Sequence, residues 1–340
     1  MQAEYCVAVQ NGTDTAEARR TAMQLASRLG FDESEAGNAG LVVTEASRNL
    51  IKHAGGGEIL LRALQQDDAV GVEMLGLDKG PGIDNVARSF QDGYSTAGTP
   101  GNGLGAIARL STLHDLYTQA GKGTVLLSQI WKRTRTVAAT PAARLETGIV
   151  SVPKKGEDVC GDSWAVVGTP PSVRVIVADG LGHGLFAADA SRAAVSVAAG
   201  QPGLSGVRLM ERMHEALRPT RGAAVAVAEI HAGRGVVQFT GVGNIAGCIV
   251  APAGAVQHMV SYPGTVGHET HKMMEFQYPW HPGSVLVMHS DGLSSSWSLE
   301  RYPGLISRHS SIAAGVLYRD YRRERDDATV VVLRQRGSGN

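Results

Sequence analysis

Cysteine is scarce in this chain: Cys6, Cys160 and Cys248 are odd in number and far apart in 340 residues. Neither a disulfide framework nor a zinc cluster follows from that spacing, and the expected compartment is a reducing cytoplasm. Net charge is missing too. Thirty-two basic and 32 acidic residues balance to zero with no polybasic block, so the counterion-release term behind nucleic-acid and membrane-surface binding has no source. No apolar run approaches the roughly 18 residues of a membrane span, and the first residues show no basic-then-apolar signal pattern. Neither a nucleic-acid nor a membrane partner is expected.

What is present is an ordinary globular composition, 43% hydrophobic and 19% charged, over a length that predicts two domains. Glycine is abundant at 43 residues but scattered, which suits tight turns and close backbone approach to ligands. An opening strand at 5–9 leads to a helix over 13–29, capped by Thr13 or Asp14 and ended by Gly30. A second helix over 35–54 stops at Gly55-Gly56-Gly57. On it Glu45, Asn49 and His53 recur at i, i+4, i+8 and share one stripe; a solvated face would look the same. Strands at 58–64 and 71–77 pair as a hairpin, and the second ends in Asp78-Lys79-Gly80-Pro81-Gly82. Asp92-Gly93-Tyr94-Ser95-Thr96 then precedes Gly101-Asn102-Gly103-Leu104-Gly105, which opens a helix over 106–113. A glycine loop feeding a helix start offers free N–H groups to phosphate. Gly121-Lys122-Gly123-Thr124 introduces a strand ending near Trp131.

This order of motifs, over about residues 5–133, resembles the ATP-binding domain of the GHKL superfamily, and within it the RsbT and RsbW anti-sigma-factor serine kinases. The stretch from Asp92 to Thr96 and the run from Gly103 to Trp131 favour the RsbT type. The resemblance implies ATP or ADP with Mg²⁺, held by Asn49, and a Glu45 that polarises an attacking hydroxyl or orders the metal shell. It also implies that Asp78 accepts from the adenine amino group in a pocket of Gly80 and Gly82. Gly101, Gly103, Leu104 and Gly105 would form the phosphate lid, and Thr124 would sit beside Asp78. His53 is read as structural.

Small and polar residues around Pro141 mark a linker at 135–146, separating a domain at 1–134 from one at 147–335. In the second half, strands expected near 148–152, 163–167, 172–178, 223–231, 235–242, 246–251 and 284–289 alternate with turns. Helices are expected from Gly184 to Ala199 and over 207–217. Asp162, Asp179, Asp291 and Asp326 (or Asp327) all flank these apolar strands, and three of them adjoin glycine. Any one of them suits a simple turn. Four brought to one sheet edge would repel too strongly to stand unneutralised, and two divalent cations resolve that.

Gly-Asp, Asp-Gly-x-Gly-His-Gly, Gly-x-Gly-Asn, Ser-Asp-Gly and Asp-Asp-x-Thr, over about residues 147–335, resemble the SpoIIE/RsbU/RsbX branch of type 2C protein phosphatases. The resemblance implies two Mn²⁺ or Mg²⁺ ions that activate the water attacking a phosphoserine. Asp179 would bridge them, the Gly180 carbonyl would add a ligand, and Asp162, Asp291 and Asp326 would complete the shell. Gly161 stands where the eukaryotic pattern has an acid. His183 is open between a proton donor and a helix-entry residue bonding backbone, and His289 is read as structural.

The expected architecture is α/β (α+β): a GHKL (Bergerat) α/β sandwich followed by an αββα phosphatase sandwich. The expected function is a bifunctional regulator that phosphorylates and dephosphorylates serine or threonine of a STAS-domain partner, with a downstream signalling partner behind it. Two alternatives stand beside it: a phosphatase whose front domain only senses ATP or ADP, and a binding switch that sequesters a sigma factor or output partner.

Overall fold

The structure, a computed structural model, describes residues 4–66, 68–86, 103–132, 145–169, 172–201, 203–270 and 272–335. Its contacts divide the chain into two compact units, Met1–Ala138 with Tyr302–Arg319, and Ala139–Arg301 with Asp320–Asn340. The first unit contains β1 (Glu4–Val9), α1 (Gly12–Arg28), α2 (Glu33–Ala54), β2 (Gly57–Gln66), β3 (Ala69–Leu77), α3 (Gly103–Leu110), β4 (Leu113–Gln119) and β5 (Gly123–Trp131). Asn11, not Thr13 or Asp14, caps α1. Its Oδ1 accepts from the Thr13 and Asp14 N–H groups while the Asp14 carboxylate accepts from Asn11 N–H, a reciprocal pair that satisfies orphan donors at both positions. Asp32 and Glu35 repeat the device on α2, and Gly55 closes that helix in the left-handed region at φ 72°. The helix expected over 106–113 lies earlier, at 103–110, because Leu113 already pairs with Gln129 as the first residue of β4.

The five strands form one antiparallel sheet in the order β1-β2-β3-β5-β4. Its pleat sends Val72 and Met74 into a core with Ala18, Ala22, Val42 and Ala46 of α1 and α2, as period-2 alternation requires. These small helix residues let the helices lie close to the sheet, so the α2 stripe bearing Glu45 is held over the β3 end.

The second unit contains β6 (Leu145–Val152), β7 (Asp162–Thr169), β8 (Ser172–Gly180), α4 (Leu185–Gly200), α5 (Gly206–Leu217), β9 (Ala223–His231), β10 (Val236–Val242), β11 (Ala246–Val250), β12 (Val256–His258), β13 (Phe276–Pro279), β14 (Val285–His289), the last two residues of α6 (Ser310–Tyr321), and β15 (Ala328–Gln335). Two five-stranded sheets result, β13-β10-β9-β8-β7 and β12-β11-β14-β15-β6. Val175, Val177, Phe239, Met288 and Val331 fill the space between them, while Ile176, Ala178 and Val227 face α4 and α5 through Ala194, Ala198, Leu209 and Met213. Alternate residues of β8 therefore serve two cores, which is why the strand reads as a continuous apolar run rather than an alternating one.

Residues 302–319 lie between β14 and β15 in sequence but group with the first unit, where the sequence reading had placed them in the second domain. There Gly315 sits against Val125, Leu77 and Leu75, and Ser311 Oγ donates to the buried Glu73 carboxylate at 2.7 Å. Ser310 to Arg319 are all buried, so α6 has no exposed face over that stretch. Among the described residues no helix is long and apolar enough to cross a membrane.

Candidate functional site

Two places in the molecule gather the chemistry. In the first unit, a cavity of about 930 Å³ is lined by Glu45, Asn49, His53, Asp78, Gly82, Gly103, Leu104 and Thr124. The i, i+4, i+8 stripe of α2 thus reaches one wall, His53 included. At the far wall Asp78 Oδ1 accepts from Gly80 N–H at 2.8 Å and Thr124 N–H at 3.2 Å. Burial pushes the Asp78 carboxyl up, and these two backbone donors oppose it. Gly123 has φ 89°, and a Cβ there would fall 2.7 Å from the Asp78 carbonyl carbon; only glycine permits the Thr124 N–H to approach. Gly80 and Gly105 are outside the cavity wall; Gly80 holds the aspartate and Gly105 is buried in α3. Gly101, with the stretch from Asp92 to Thr96, lies outside the described residues.

At the opposite end, a Cβ on Gly103 would stand 3.3 Å from both Glu45 Oε2 and Asn49 Oδ1, so the start of α3 meets the acid and the amide directly. Arg48 and Lys52 also line the wall, and Arg48 Nη1 pairs with Glu45 Oε1 at 2.8 Å. Sequence reasoning passed over both, although the i, i+3, i+7 spacing from Glu45 signals them. The cavity falls in the size range of small-molecule sites, about 300–1,000 Å³, with one acceptor at one end and cations plus an acid–amide pair at the other. His53 is exposed, and partial desolvation, then Lys52, hold its imidazole below the usual value against the pull of Asp78.

In the second unit, Asp162 opens β7 and stands opposite Asp179 in the β7–β8 register. Asp326 stands beside Asp291 and, after burial, raises its carboxyl. All four carboxylates interact: burial first, then Asp162, Asp291 and Asp326, raise the Asp179 carboxyl. Burial raises Asp162 as well, with Asp327 and Asp326 adding to it against a hydrogen bond from Ser290. The Ser290 Oγ to Asp162 Oδ2 distance is 2.7 Å, and Asn244 Nδ2 reaches Asp291 Oδ2 at 2.7 Å. Asn244 and Ser290 are thus orienting residues that the motif list contained without assigning them a part. Gly180 abuts the Ala187 carbonyl in the first turn of α4, so a side chain there would push α4 off the site.

The adjacent Asp326 and Asp327 differ. Asp326 faces Asp291 and Asp179, whereas Asp327 Oδ1 accepts from Lys154 N–H at 2.8 Å. Its Oδ2 is buried with no hydrogen-bond partner, and a Cβ on Gly161 would come within 2.7 Å of it. Asp327 therefore fills the space that an acid at position 161 would need. Among the described residues no group of three or more His, Cys, Asp or Glu is set to hold a metal ion as it stands. The donor set nonetheless suits hard divalent cations: Asp162, Asp179, Asp291 and Asp326 offer only oxygen, and burial, then repulsion from neighbouring carboxylates, raises the first three. His183 bonds a side chain, not backbone: Nδ1 lies 2.6 Å from Glu157 Oε1. His289 is buried between the Ser290 carbonyl and Trp297 Nε1–H.

Comparison with known proteins identifies the two parts of the chain. Residues 10–129 match the histidine kinase-like ATPase domain family, and residues 169–336 match the stage II sporulation protein E (SpoIIE) family. The serine/threonine-protein kinase RsbT of Bacillus subtilis (strain 168) is 30% identical over 133 residues, 39% of this chain and 100% of RsbT. The phosphoserine phosphatase RsbX of the same organism is 25% identical over 150 residues, 44% of this chain and 75% of RsbX. A solved chain from work on the bacterial stressosome, a modular system adapted to control secondary messenger signalling, has a TM-score of 0.53 and 28% identity. That match covers 56% of this chain and 100% of the other. The chain therefore belongs, over its first part, to the RsbT family of GHKL-type ATPase domains, fused ahead of a SpoIIE domain of type 2C phosphatase fold.

Proposed function

We propose that the chain is a two-site regulator of a partner-switching pathway, whose second unit removes phosphate from serine or threonine of a STAS-domain protein. Its first unit binds ATP with Mg²⁺ and phosphorylates the same partner. The observation that carries the reading is the convergence of Asp162, Asp179, Asp291 and Asp326 from two sheets. Asp162, Asp179, Asp291, Asp326 and the Gly180 carbonyl would hold two Mn²⁺ or Mg²⁺ ions. Bound there, the ions neutralise charge on the phosphate and make water acidic enough to attack at neutral pH. Ser290 and Asn244 fix the carboxylates on which that binding depends. Asp327, anchored by Lys154 N–H and packed under Gly161, supports the shell.

In the first unit Asn49 would take the nucleotide's Mg²⁺ and Asp78 the adenine amino group. Gly103 and Leu104 bring N–H groups to the phosphates, and Glu45 accepts the proton of the attacking hydroxyl. Such transfer depends on placement and charge neutralisation more than on covalent chemistry. The Arg48–Glu45 pair favours a second reading, in which this unit senses ATP or ADP without transferring phosphate, since the acid is engaged by a cation of its own helix.

Phosphate release from a phosphorylated STAS protein with Mn²⁺, with and without ATP, tests the phosphatase and its coupling to nucleotide. Label transfer from radioactive ATP to the unphosphorylated STAS protein tests the kinase. Transfer that persists in Glu45→Ala removes the proposed base, and no transfer by the unmodified protein to any of several STAS partners selects the sensing reading.

A further inference from the structure

Leu181, Leu185 and Phe186 are 58, 64 and 66% exposed, the three most exposed large apolar side chains among the described residues. They fall within six positions, immediately after Asp179-Gly180. We propose that this loop and first turn of α4, together with Arg221, form the docking surface for a phosphorylated serine or threonine flanked by apolar side chains. The proposal rests on the phosphatase reading above and adds what recognises the substrate.

Arg221 is fixed beside the cluster by the sheet. Ala223, two residues on, is the Cα partner of Gly180 where β9 meets β8, and Leu181 N–H donates to the Gly222 carbonyl at 3.0 Å. The guanidinium lies 5.0 Å from the Phe186 ring centroid. Gly182, at φ 94°, makes room for it, since a Cβ there would stand 3.1 Å from Arg221 Nη1. Among the described residues no carboxylate pairs with Arg221. Stacking engages the face of a guanidinium and leaves its N–H edges for an oxyanion. A cation so placed adds a directed contact to the phosphate oxygens beyond the charge the metal ions would supply.

The loop's shape is set in advance. His183 is held by Glu157 at 2.6 Å, and Gly184, at φ 73°, would place a Cβ 3.0 Å from Glu157 Oε2. Leu181 and Leu185–Phe186 therefore flank a braced turn rather than a free one. Contiguous exposed apolar surface rimmed by polar groups marks a protein interaction site. A free phosphate or a small ester would leave these three side chains in water; a phosphorylated protein segment with apolar neighbours covers them.

The test uses two fluorescent phosphoserine peptides, one with leucine and one with glycine on both sides of the phosphoserine, and the unphosphorylated leucine peptide. Binding is read by anisotropy with the full-length Asp179→Asn protein in Mn²⁺. The leucine-flanked phosphopeptide is expected to bind about tenfold tighter than the glycine-flanked one. In the Leu185→Ser, Phe186→Ser background that ratio is expected to fall below about twofold, with Leu181→Ser as an independent variant of the same surface. Arg221→Ala is expected to abolish most of the preference for phosphorylated over unphosphorylated peptide, and Arg221→Lys to retain part of it. Equal affinity for the two phosphopeptides, or a preference that survives the serine substitutions, overturns the proposal. Mn²⁺-dependent phosphate release by the unmodified protein without flank preference overturns it alone; no release at all overturns the phosphatase reading as well.

Discussion

Asp78 and Asp179 occupy matching places in the two units: each stands at the end of a buried strand, with glycine one or two residues on. Burial raises both carboxyls. From there they diverge. Around Asp78 the nearest polar neighbours are backbone N–H groups of Gly80 and Thr124, which pull its pKa back down. Around Asp179 they are Asp162, Asp291 and Asp326, which push it further up. One strand-end aspartate is thus a single oriented acceptor, suited to an amino group, and the other is part of a charge concentration that calls for cations. A strand ending in Asp-Gly is chemically undecided until residues from other strands arrive beside it.

The sharpest way to separate the two sites is Asp179→Asn. Mn²⁺-dependent phosphate release from a phosphoserine peptide should fall by about 10³-fold or more, while adenine-nucleotide affinity stays within about twofold; a matching loss of nucleotide binding would break the comparison. Asp78→Ala is the mirror experiment. By calorimetry, adenine-nucleotide affinity should drop about 100-fold because the amino group loses its buried acceptor, with phosphate release little changed.

Gly161→Ala should have a smaller effect, about a tenfold loss in Mn²⁺ affinity, because the new Cβ meets Asp327 Oδ2 and Ala187 Cβ at 2.7 and 2.9 Å. An unaltered Mn²⁺ titration would show that Asp327 is not braced against that glycine.

The mildest contrast is in pH. In the metal-free protein the raised carboxyls of Asp162, Asp179, Asp291 and Asp327 contribute stability that is fully present below their unfolded value of 3.8 and lost as pH rises through the folded values. Glu73 in the first unit runs the other way. Burial pushes its carboxyl up, but Arg62, Ser311 and Gln129 outweigh burial and hold it low. Its contribution is present above the unfolded 4.5 and lost as pH falls through the folded value. Amide-exchange protection, measured relative to the intrinsic rate at each pH, should therefore fall in β8 and not in β3 of chelator-treated protein as pH rises from about 5 to about 8. Added Mn²⁺ should reverse the β8 trend, with a gain in Tm that grows with pH because the ions need deprotonated ligands. Protection of β8 that increases with pH without metal would contradict the carboxylate crowding.

Legibility followed locality. The stripe of Glu45, Asn49 and His53 was readable because helical spacing is set by neighbours four residues apart, and the cavity wall contains all three. That His53 also reaches the cavity wall was not readable, because nothing within α2 reveals that its end faces a cavity. β4 went unread because Leu113, Leu116 and Tyr117 fit a helix pattern as well as a strand, and only pairing with β5 decides. α6 was missed for a different reason: it is buried on every side from Ser310 to Arg319, so no polar stripe alternates with an apolar one to give an amphipathic signal. Asn244 and Ser290 were present in the motifs, but their partners lie 47 and 128 residues away.

By itself the sequence determined the two-part plan, the cap and stripe of α2, and the identity of every strand-end carboxylate, because propensity, periodicity and capping depend on residues within a turn or two. Only the tertiary structure decided that Asp326 faces the cluster while Asp327 is turned under Gly161, and that residues 302–319 pack with the first unit. Those outcomes depend on which distant groups arrive within a few ångströms, and electrostatic and packing energies at that range are steep enough to override any local preference.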